Sequence, residues 1–539
     1  MGANFAYRKR GKFEESMNFN LRAYAGAVIQ RLNKNNYVVY FILLLSICYI
    51  AYLASSIHEG IFYAGDQGLK SLQVKQIAAG YGFKYLHLSQ PEWVKAVWQA
   101  GYFPLKPPFF YPSPNGYLIV YPPMFQVVTS FFYTWLGSAG LYVLPMLCTL
   151  MLLGWTVLLL KRSGVTPFNI ALAVFIMVFC SPLILYGVMF WEHLPAVLLL
   201  FAGLAFIVSP PSTLWASAAL GLISGLAIWL RPEALMMNFL YGAAVAVLYF
   251  RDRKGVYIAF MAALAFSIVP WFAFNYAEYG SIFGVHGMQV LSDNDPDTRI
   301  GLKNGLRNLG SINWLSIRNF LFLLLLFPIV YQSVKSRETT DLRPLLLASI
   351  VILYSILTPF MLPNDGVVQW GPRYFLAIIP VTLFALFLAG KKWNVTNGGI
   401  PLWLTLVIVF ICIQAFYHNT HTGGYKELRW RYNERLTQTY NLINSRPGNV
   451  VIVSHQAMTY DFGYLFNKDY FFAESGDDSL RRLLPLLKSY GVKQFIYVFN
   501  PVAHSLPKML EDSTTRHYYE YVGKNGVKED IASEVYRIP

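Results

Sequence analysis

Acidic and basic side chains recur next to long apolar runs, where a charge is costly and tends to mark function. Asp66 opens the segment DQGLKSLQVKQ, and Lys70 follows it by four residues. A carboxylate can act as a general base on a hydroxyl, and a cation can stabilise an anion that forms during a reaction. Charged or titratable residues also stand at the edges of later apolar runs, at Glu192, His193, Arg231, Glu233, Asp365 and Arg373. These residues predict acid–base or anion chemistry at a membrane surface.

The composition is that of a protein that crosses a membrane several times. Of 539 residues, 55% are hydrophobic and 13% are charged, and this charged share is about half that of a soluble domain. The net charge of +15 would suit a nucleic-acid binder, but much of the basic excess falls in short segments between apolar runs. That distribution is typical of the signal that orients membrane proteins. We therefore predict an integral membrane protein that contacts lipids and no nucleic acid.

The cysteines and histidines point to neither a disulfide framework nor a zinc site. The sequence contains no CxxC pair and no HxxxH or HExxH motif, which are the spacings expected of such sites. The cysteines all lie inside apolar runs, at Cys48, Cys148, Cys180 and Cys412. We expect them to be small buried hydrophobes. No small-residue cleavage site follows the first apolar run, so we interpret that run as a membrane anchor.

Eleven apolar runs are long enough to cross a membrane, for which a helix needs roughly 20 residues. They are 37–57, 139–160, 166–185, 194–209, 213–230, 233–250, 255–275, 314–334, 344–361, 373–390 and 399–417. A further run at 121–137 is short and opens with Pro-Pro. We predict that it lies in the membrane interface and does not cross.

The positions of Lys and Arg orient these spans. With residues 1–36 in the cytoplasm and 121–137 not crossing, four later basic segments between spans also fall inside. Those segments are Lys161-Arg162, RDRK at 251–254, KSRETTDLR at 335–343 and Lys391-Lys392. The outer side then holds the loop 58–138 and all the edge residues named above, from Asp66 to Arg373. Their convergence on one face of the transmembrane domain, 37–417, indicates a functional site.

The last part of the chain, 420–539, is more polar, and we predict that it forms a small α/β domain outside the membrane. Helices are expected at 425–445 and 478–491, and strands at 449–455 and 493–499. The order strand–helix–strand predicts that the two strands pair in parallel. The sequence has no GxGxxG and no P-loop motif, so no nucleotide site is indicated.

Several motifs follow one another in a specific order between residues 37 and 390. They are Asp66 leading an amphipathic helix after the first span, YPPMF at 121–125, WEHLP at 191–195, RPE at 231–233 and GPRYFLAIIP at 371–380. In this order the chain resembles the GT-C superfamily of membrane glycosyltransferases, in particular bacterial relatives of protein O-mannosyltransferases and of the aminoarabinose transferase that acts on lipid A. The resemblance implies a polytopic α-helical fold in a bacterial inner membrane.

The resemblance also implies an activity, namely inverting transfer of a sugar from a polyprenyl-phosphate donor to a surface glycan, a lipid or a protein. Asp66 takes the part of the base that activates the acceptor hydroxyl, with Glu192 as a second candidate. Arg373, with Arg231 or Lys70, would neutralise the leaving phosphate, which a guanidinium matches in shape and charge. Further candidates for binding the donor phosphate or sugar are Tyr374, His193, Glu233, Tyr121 and Lys106.

The chain departs from the family pattern in two places. Enzymes like the lipid A transferase carry an acid–lysine pair just before the Pro-Pro segment, whereas this chain has Val120-Tyr121 there and Lys106 upstream. Oligosaccharyltransferases of the superfamily bind a divalent metal with two acidic clusters, whereas Gln67 follows Asp66 here. We therefore expect no catalytic metal and no cofactor, and Glu192 with His193 is the one place that leaves room for a divalent ion.

Each candidate also has a structural interpretation. Asp66 could cap the helix that follows it, Lys70 and Arg373 could extend to lipid headgroups, and Arg231 could pair with Glu233. At the level of the whole chain, the alternatives are a lipid-linked glycan flippase and a non-catalytic scaffold for the C-terminal domain. A transporter would place ionisable residues near span centres, whereas here they stand at span ends.

Overall fold

The computed structural model describes a helical bundle followed by a mixed β-sheet. The described residues are 36–57, 62–63, 65–105, 110–285, 287, 302–310, 326, 341–362, 373–390, 402–422, 424–429, 437–445, 448–454, 468–473, 477–499, 515–522 and 528–537.

Apolar helices make up the bundle. In its first half they are α1 (Tyr37–Ala54), α2 (Gly65–Ala78), α3 (Glu92–Val97), α4 (Met124–Leu136), α5 (Gly140–Arg162), α6 (Pro167–Phe179), α7 (Leu183–Val188) and α8 (His193–Val208). In its second half they are α9 (Leu214–Gly225), α10 (Ala227–Leu230), α11 (Ala234–Asp252), α12 (Gly255–Tyr279), α13 (Leu302–Gly310), α14 (Arg343–Leu357), α15 (Ile378–Gly390) and α16 (Leu402–Tyr417). Helices suit an apolar environment because each satisfies its own backbone hydrogen bonds.

The expectation of a polytopic helical membrane protein is confirmed. Among the described residues, five helical stretches are long and apolar enough to cross a membrane, namely Tyr37–Ala54, Met124–Arg162, Ala234–Asp252, Gly255–Tyr279 and Arg343–Met361. Shorter apolar helices lie at α6, α8, α9 with α10, and α15. Together with α16, these helices coincide with ten of the eleven expected spans.

Three expected spans are not single helices, and one of them, 213–230, is divided between α9 and α10 at Leu226. The run 166–185 breaks between α6 and α7 at Pro182, which has no N–H to continue the helical hydrogen bonds. The run 373–390 begins as the 3-10 turn Arg373–Phe375, and α15 starts three residues later. The remaining expected span, 314–334, lies almost wholly outside the described residues.

The run 121–137 contains α4, which is amphipathic. Its 13 residues extend about 20 Å at 1.5 Å per residue, less than the roughly 30 Å of a bilayer core. Phe125 and Thr129 are buried, whereas Phe131 and Trp135 on the opposite face are 62% and 75% exposed. This pattern suits a helix that lies in the interface, and that position stays a prediction.

Small residues let α9 and α12 approach closely. Gly221 and Gly225 are four residues apart on α9, and a Cβ on Gly221 would collide with the backbone carbonyl of Phe260 on α12. Ser217, one turn earlier on the same face, is fully buried. The GxxxG spacing and its neighbouring small residue therefore define a close-packed helix pair of the kind found in membranes.

The helix that carries Asp66, α2, is buried on nearly all sides. Gln67 and Lys70 are 0% and 3% exposed, although both are polar. The amide groups of Gln73 and Gln76 donate to backbone carbonyls of the segment that follows the helix. The expectation of an amphipathic helix is therefore wrong, because polar side chains of α2 pair inside the protein and do not face water.

The C-terminal region contains the expected α/β domain. The first two strands of the chain, β1 (Phe110–Ser113) and β2 (Gly116–Ile119), form a separate hairpin in the first loop. The elements of the C-terminal domain are α17 (Gly424–Arg429), α18 (Thr437–Asn444), β3 (Val450–Val453), β4 (Asp469–Phe472), α19 (Asp477–Ser489), β5 (Gln494–Phe499), β6 (Thr515–Val522) and β7 (Lys528–Arg537). The sheet order is β4-β3-β5-β7-β6. The expected parallel pairing of β3 with β5 is confirmed, β4 is also parallel to β3, and β7 runs antiparallel to its neighbours.

This domain packs on the loop between α1 and α4. The indole Nε1 of Trp98 donates a hydrogen bond to the backbone carbonyl of Tyr470 on β4, at 2.9 Å. The ring of Trp93 on α3 lies 5.9 Å from the ring of Phe471. Buried residues of both parts, including Leu483 and Leu487 of α19, belong to one apolar cluster. The loop that carries Asp66 is therefore held between the helical bundle and the sheet.

Candidate active site

Asp66 lies in the first turn of α2, where the helix dipole favours a negative charge. Its Oδ2 accepts a hydrogen bond from the indole Nε1 of Trp191, at 3.3 Å. Its Oδ1 is buried and accepts no hydrogen bond from any residue that the structure describes. Since α2 begins at Gly65 and the carboxylate bonds to Trp191, Asp66 does not act as the N-cap of this helix.

Lys70, one helical turn further along α2, pairs with Glu192. Its Nζ lies 2.9 Å and 2.8 Å from the two carboxylate oxygens of Glu192 and 3.8 Å from Oδ2 of Asp66. Glu192 immediately precedes α8, and only 7% of it is exposed. A buried pair of this kind joins the two chain segments, and losing either partner leaves an uncompensated charge.

Arg231 continues the network from the turn before α11. Its Nη1 donates to Oε1 of Glu192 at 3.0 Å, while Nε and Nη2 donate to the two oxygens of Glu233 at 3.2 Å and 2.7 Å. The pairing of Arg231 with Glu233 within the RPE turn therefore exists, and the same guanidinium also bridges to α8. All three nitrogens of this guanidinium donate hydrogen bonds to these two carboxylates.

The same guanidinium fixes the protonation of His193. Nη1 of Arg231 lies 3.2 Å from Nε2 of His193. A guanidinium has donors and no acceptor, so Nε2 must offer its lone pair. His193 is therefore neutral, with its proton on Nδ1.

The charges of Lys70 and Arg231 keep Glu192 ionised. Burial on its own would raise the pKa of Glu192, but these two cations outweigh burial and hold that pKa below its ordinary value. Glu192 is thus a stable anion at neutral pH. It organises the two cations and is poorly suited to accept a proton.

Arg373 approaches Asp66 from the other side, on the turn before α15. Its Nη1 lies 3.7 Å from Oδ2 of Asp66, and its Nη2 donates to the hydroxyl of Tyr374 at 3.0 Å. Its Nε is buried and makes no hydrogen bond to the described part of the chain. The Tyr374 ring contacts the guanidinium groups of Arg373 and Arg231, at 4.9 Å and 5.5 Å.

Aromatic rings enclose these charges. Trp191 stacks on Tyr186 at 5.1 Å and meets the edge of His193 at 5.1 Å. The ring of Tyr121 lies 4.9 Å from Nζ of Lys70. The low local polarity strengthens the ion pairs and holds the Trp191 N–H against Asp66.

A cavity opens beside Arg373 and Arg231, and we call it the charged cavity. It is lined by His193, Ala196, Val197, Leu200, Arg231, Glu233, Ala234, Tyr354, Arg373, Tyr374, Leu376 and Ala377. The α8 residues in this set are spaced as one face of a helix. One end of the charged cavity is ionic, and the rest is mostly aliphatic.

The structure brings most of the candidate residues from the sequence into one cluster. Asp66, Lys70, Glu192, His193, Arg231, Glu233, Arg373, Tyr374 and Tyr121 all contact at least one other member. Lys106 and Asp365 lie outside the described residues. Trp191 was missed by the sequence analysis, although it belongs to the WEHLP motif, because aromatic residues near a membrane surface usually form an interfacial belt.

Two acidic residues, Asp66 and Glu192, face the same cation, Lys70. Within the described ranges, no group of three or more His, Cys, Asp or Glu is arranged to hold a metal ion. An ammonium group thus bridges the two carboxylates.

Comparison with solved structures identifies the fold. The crystal structure of ArnT from Cupriavidus metallidurans bound to undecaprenyl phosphate matches with a TM-score of 0.52 at 14% identity, over 91% of this chain and 97% of that one. The apo structure of the same protein matches with a TM-score of 0.51 at 12% identity, with the same coverage. The chain has the GT-C fold.

The GT-C fold thus extends beyond the region that carries the sequence motifs, because the match covers 91% of this chain. No protein-family model matches the sequence, and no curated protein matches it. The similarity therefore lies in the arrangement of elements and not in overall sequence identity.

Proposed function

We propose that the protein is a membrane glycosyltransferase that moves a sugar from a polyprenyl-phosphate donor to an acceptor hydroxyl at the outer face of the membrane. The observation that carries this proposal is a pair of buried polar atoms, one a hydrogen-bond acceptor and the other a hydrogen-bond donor. Oδ1 of Asp66 lacks a donor, and Nε of Arg373 lacks an acceptor, among the described residues. Buried polar atoms without partners are rare and call for an explanation.

A reacting hydroxyl and a phosphate together satisfy both atoms. The hydroxyl donates to Oδ1 of Asp66, and a phosphate oxygen accepts from Nε of Arg373. The side chains are adjacent, with Nη1 of Arg373 at 3.7 Å from Oδ2 of Asp66. A nucleophile and a leaving group bound in this way would be held close together, as transfer between them requires.

The reaction follows from these roles. The acceptor oxygen forms a bond to the anomeric carbon while its proton passes to Oδ1 of Asp66. The bond between that carbon and the phosphate oxygen breaks, and the electron pair leaves with the polyprenyl phosphate. Arg373 stabilises the charge that grows on this phosphate. Attack from the face opposite the leaving group inverts the anomeric carbon.

Among the basic residues, Arg373 is the best phosphate ligand. Lys70 is held by both oxygens of Glu192, and Arg231 by Glu192 and Glu233. These two cations therefore position the carboxylates and contribute a long-range field. Arg373 makes one described hydrogen bond, to Tyr374, and keeps donors for a ligand.

The charged cavity suits an amphipathic donor. Its ionic end would take the phosphate, and its aliphatic wall, formed by α8 and by Leu376 and Ala377 before α15, would take the first isoprene units. The structurally similar ArnT was crystallised with undecaprenyl phosphate, a ligand of this chemical class.

The test is sugar transfer by the purified protein with a panel of radiolabelled polyprenyl-phosphate sugars and a membrane extract as acceptor. We expect transfer from at least one donor. Arg373→Gln should weaken donor binding roughly tenfold or more, as expected for a lost charged hydrogen bond, and should slow transfer. Arg343→Gln is the matched control, because Arg343 pairs with Asp341 and with the carbonyl of Val208 at the far end of α8.

Transfer from no donor, with an extract shown to contain competent acceptor, would contradict the proposal. The flippase interpretation would then be tested by movement of a labelled lipid-linked glycan across proteoliposomes.

A further inference from the structure

A second cavity lies on the other side of the ion-pair network, and we call it the aromatic cavity. Its aromatic wall is formed by Tyr121, Trp229, Trp271, Phe274, Tyr279 and Phe283. The remaining lining includes Pro232, Asn275 and Gly284. None of the residues that line the charged cavity lines this one.

Two contacts link the aromatic cavity to the proposed base. Tyr121 lines it and contacts Lys70 at 4.9 Å, and Lys70 lies 3.8 Å from the carboxylate of Asp66. On the other flank, Pro232 lines the aromatic cavity while its neighbour Arg231 lines the charged one. The two cavities therefore both adjoin the set of ion pairs that includes Asp66, one through Tyr121 and Lys70 and the other through Arg373.

The walls of the two cavities differ in chemistry. The charged cavity carries Ala, Val and Leu side chains beyond its ionic end, which suit an isoprene chain. The aromatic cavity is lined mainly by aromatic rings, and its lining also includes a buried amide, Asn275, which is 6% exposed. An alkyl chain gains nothing from a buried amide, whose burial costs free energy unless its polar atoms are paired.

The backbone leaves room for this amide. Nδ2 of Asn275 donates to the carbonyl of Trp271, at 2.9 Å. Its Oδ1 faces Gly284, which has a φ of +67° and where a Cβ would lie 2.5 Å from that oxygen. Glycine at this position adopts the left-handed backbone without strain, and its lack of a Cβ leaves room for the side chain of Asn275.

Ring faces together with an amide suit a saccharide. A sugar ring has C–H faces that pack on the negative face of an aromatic ring and hydroxyls that bond to amide and phenol groups. We propose that the aromatic cavity binds a saccharide ring of the acceptor and presents one of its hydroxyls to Oδ1 of Asp66. This inference rests on the proposed function and names the acceptor class, a glycan or the glycan part of a glycolipid.

The test separates acceptor effects from donor effects. In the transfer assay, Trp229→Leu and Asn275→Ala should raise the acceptor KM roughly threefold to tenfold, the change expected for one lost aromatic or polar contact. The donor KM should stay unchanged. Trp215→Leu is the matched control, because Trp215 is 88% exposed and lies at the far end of α9. Thermal unfolding of each variant shows whether it folds.

The second arm uses a defined probe, the water-soluble oligosaccharides released from the membrane extract by mild acid. They should inhibit wild-type transfer competitively with the acceptor, and three times or more weakly in Trp229→Leu. Inhibition only by the lipid fraction, or variants that raise the donor KM, would overturn the inference. Acceptor kinetics unchanged in both folded variants would also overturn it. Absence of any wild-type transfer would instead overturn the proposed function.

Discussion

The two oxygens of Asp66 have different surroundings, and this difference gives each a role. Oδ2 faces Trp191, Lys70 and Arg373, whereas Oδ1 has no described partner. A carboxylate held by one oxygen can offer the other to a substrate in a fixed direction. Trp191 is therefore a positioning residue that acts through Asp66.

Replacing Trp191 with Phe removes the N–H and retains a ring to stack on Tyr186. We expect kcat to fall roughly tenfold or more, as a hydrogen bond to a charged group is lost, while donor binding is unchanged. Steady-state transfer kinetics and a separate donor-binding assay measure the two quantities. An unchanged kcat would remove Trp191 from the site.

Glu192 has a different role, because it neutralises two buried cations. Glu192→Gln removes the nearest anion of Lys70 and one of the two carboxylates that hold Arg231, and should cost about 3–5 kcal/mol of stability. The matched control is Glu278→Gln, since Glu278 pairs with Lys84 and its side chain is 39% exposed, so that about 1 kcal/mol or less is expected there. Thermal unfolding in detergent compares the two variants.

The same pairing sets a pH dependence of stability. The pKa of Glu192 is held below its ordinary value of 4.5 in the folded protein. Its contribution is therefore fully present above pH 4.5 and is lost as the pH falls through the lower, folded value. The unfolding temperature of the wild type should drop in this acidic range by more than that of Glu192→Gln. Equal drops would contradict this account of the pair.

At the scale of the elements, packing of small residues holds the helices in the positions that the site requires. Gly221→Leu would force α9 away from the backbone of Phe260, and overpacking of this kind costs about 1–3 kcal/mol. Ala219→Leu, on the exposed side of the same helix, should change stability little. Unfolding temperatures that are equal for both variants would show that the α9–α12 contact is not tight.

The elements also show what the sequence could and could not predict. Hydropathy located most of the apolar helices and placed Lys70 and Glu192 at the ends of apolar runs. The pairing of these residues, 122 positions apart, depends on the rotation of α2 against α8, which hydropathy does not report. The break at Pro182 was missed because apolar residues continue on both sides of it. The buried state of α2 was missed because its glutamines bond within the protein.

At the scale of the whole molecule, the C-terminal sheet is joined to the loop that holds Asp66 through Trp98 and Trp93. Both parts should therefore face the same side of the membrane. In a cysteine-free background, Ser489→Cys on α19 should react with an impermeant maleimide in intact cells. Arg253→Cys, in the expected cytoplasmic segment, should react only after permeabilisation. The reverse result would invert the orientation that we propose.

If Asp66 is the base for sugar transfer, Asp66→Asn should abolish that role while leaving the site otherwise intact. This change keeps the size of the side chain and its bond with Trp191 but removes the charge. We predict that transfer from the polyprenyl-phosphate sugar falls about a hundredfold or more, as expected for loss of a general base, with donor binding retained. Transfer at the wild-type rate in a folded Asp66→Asn protein would contradict the account.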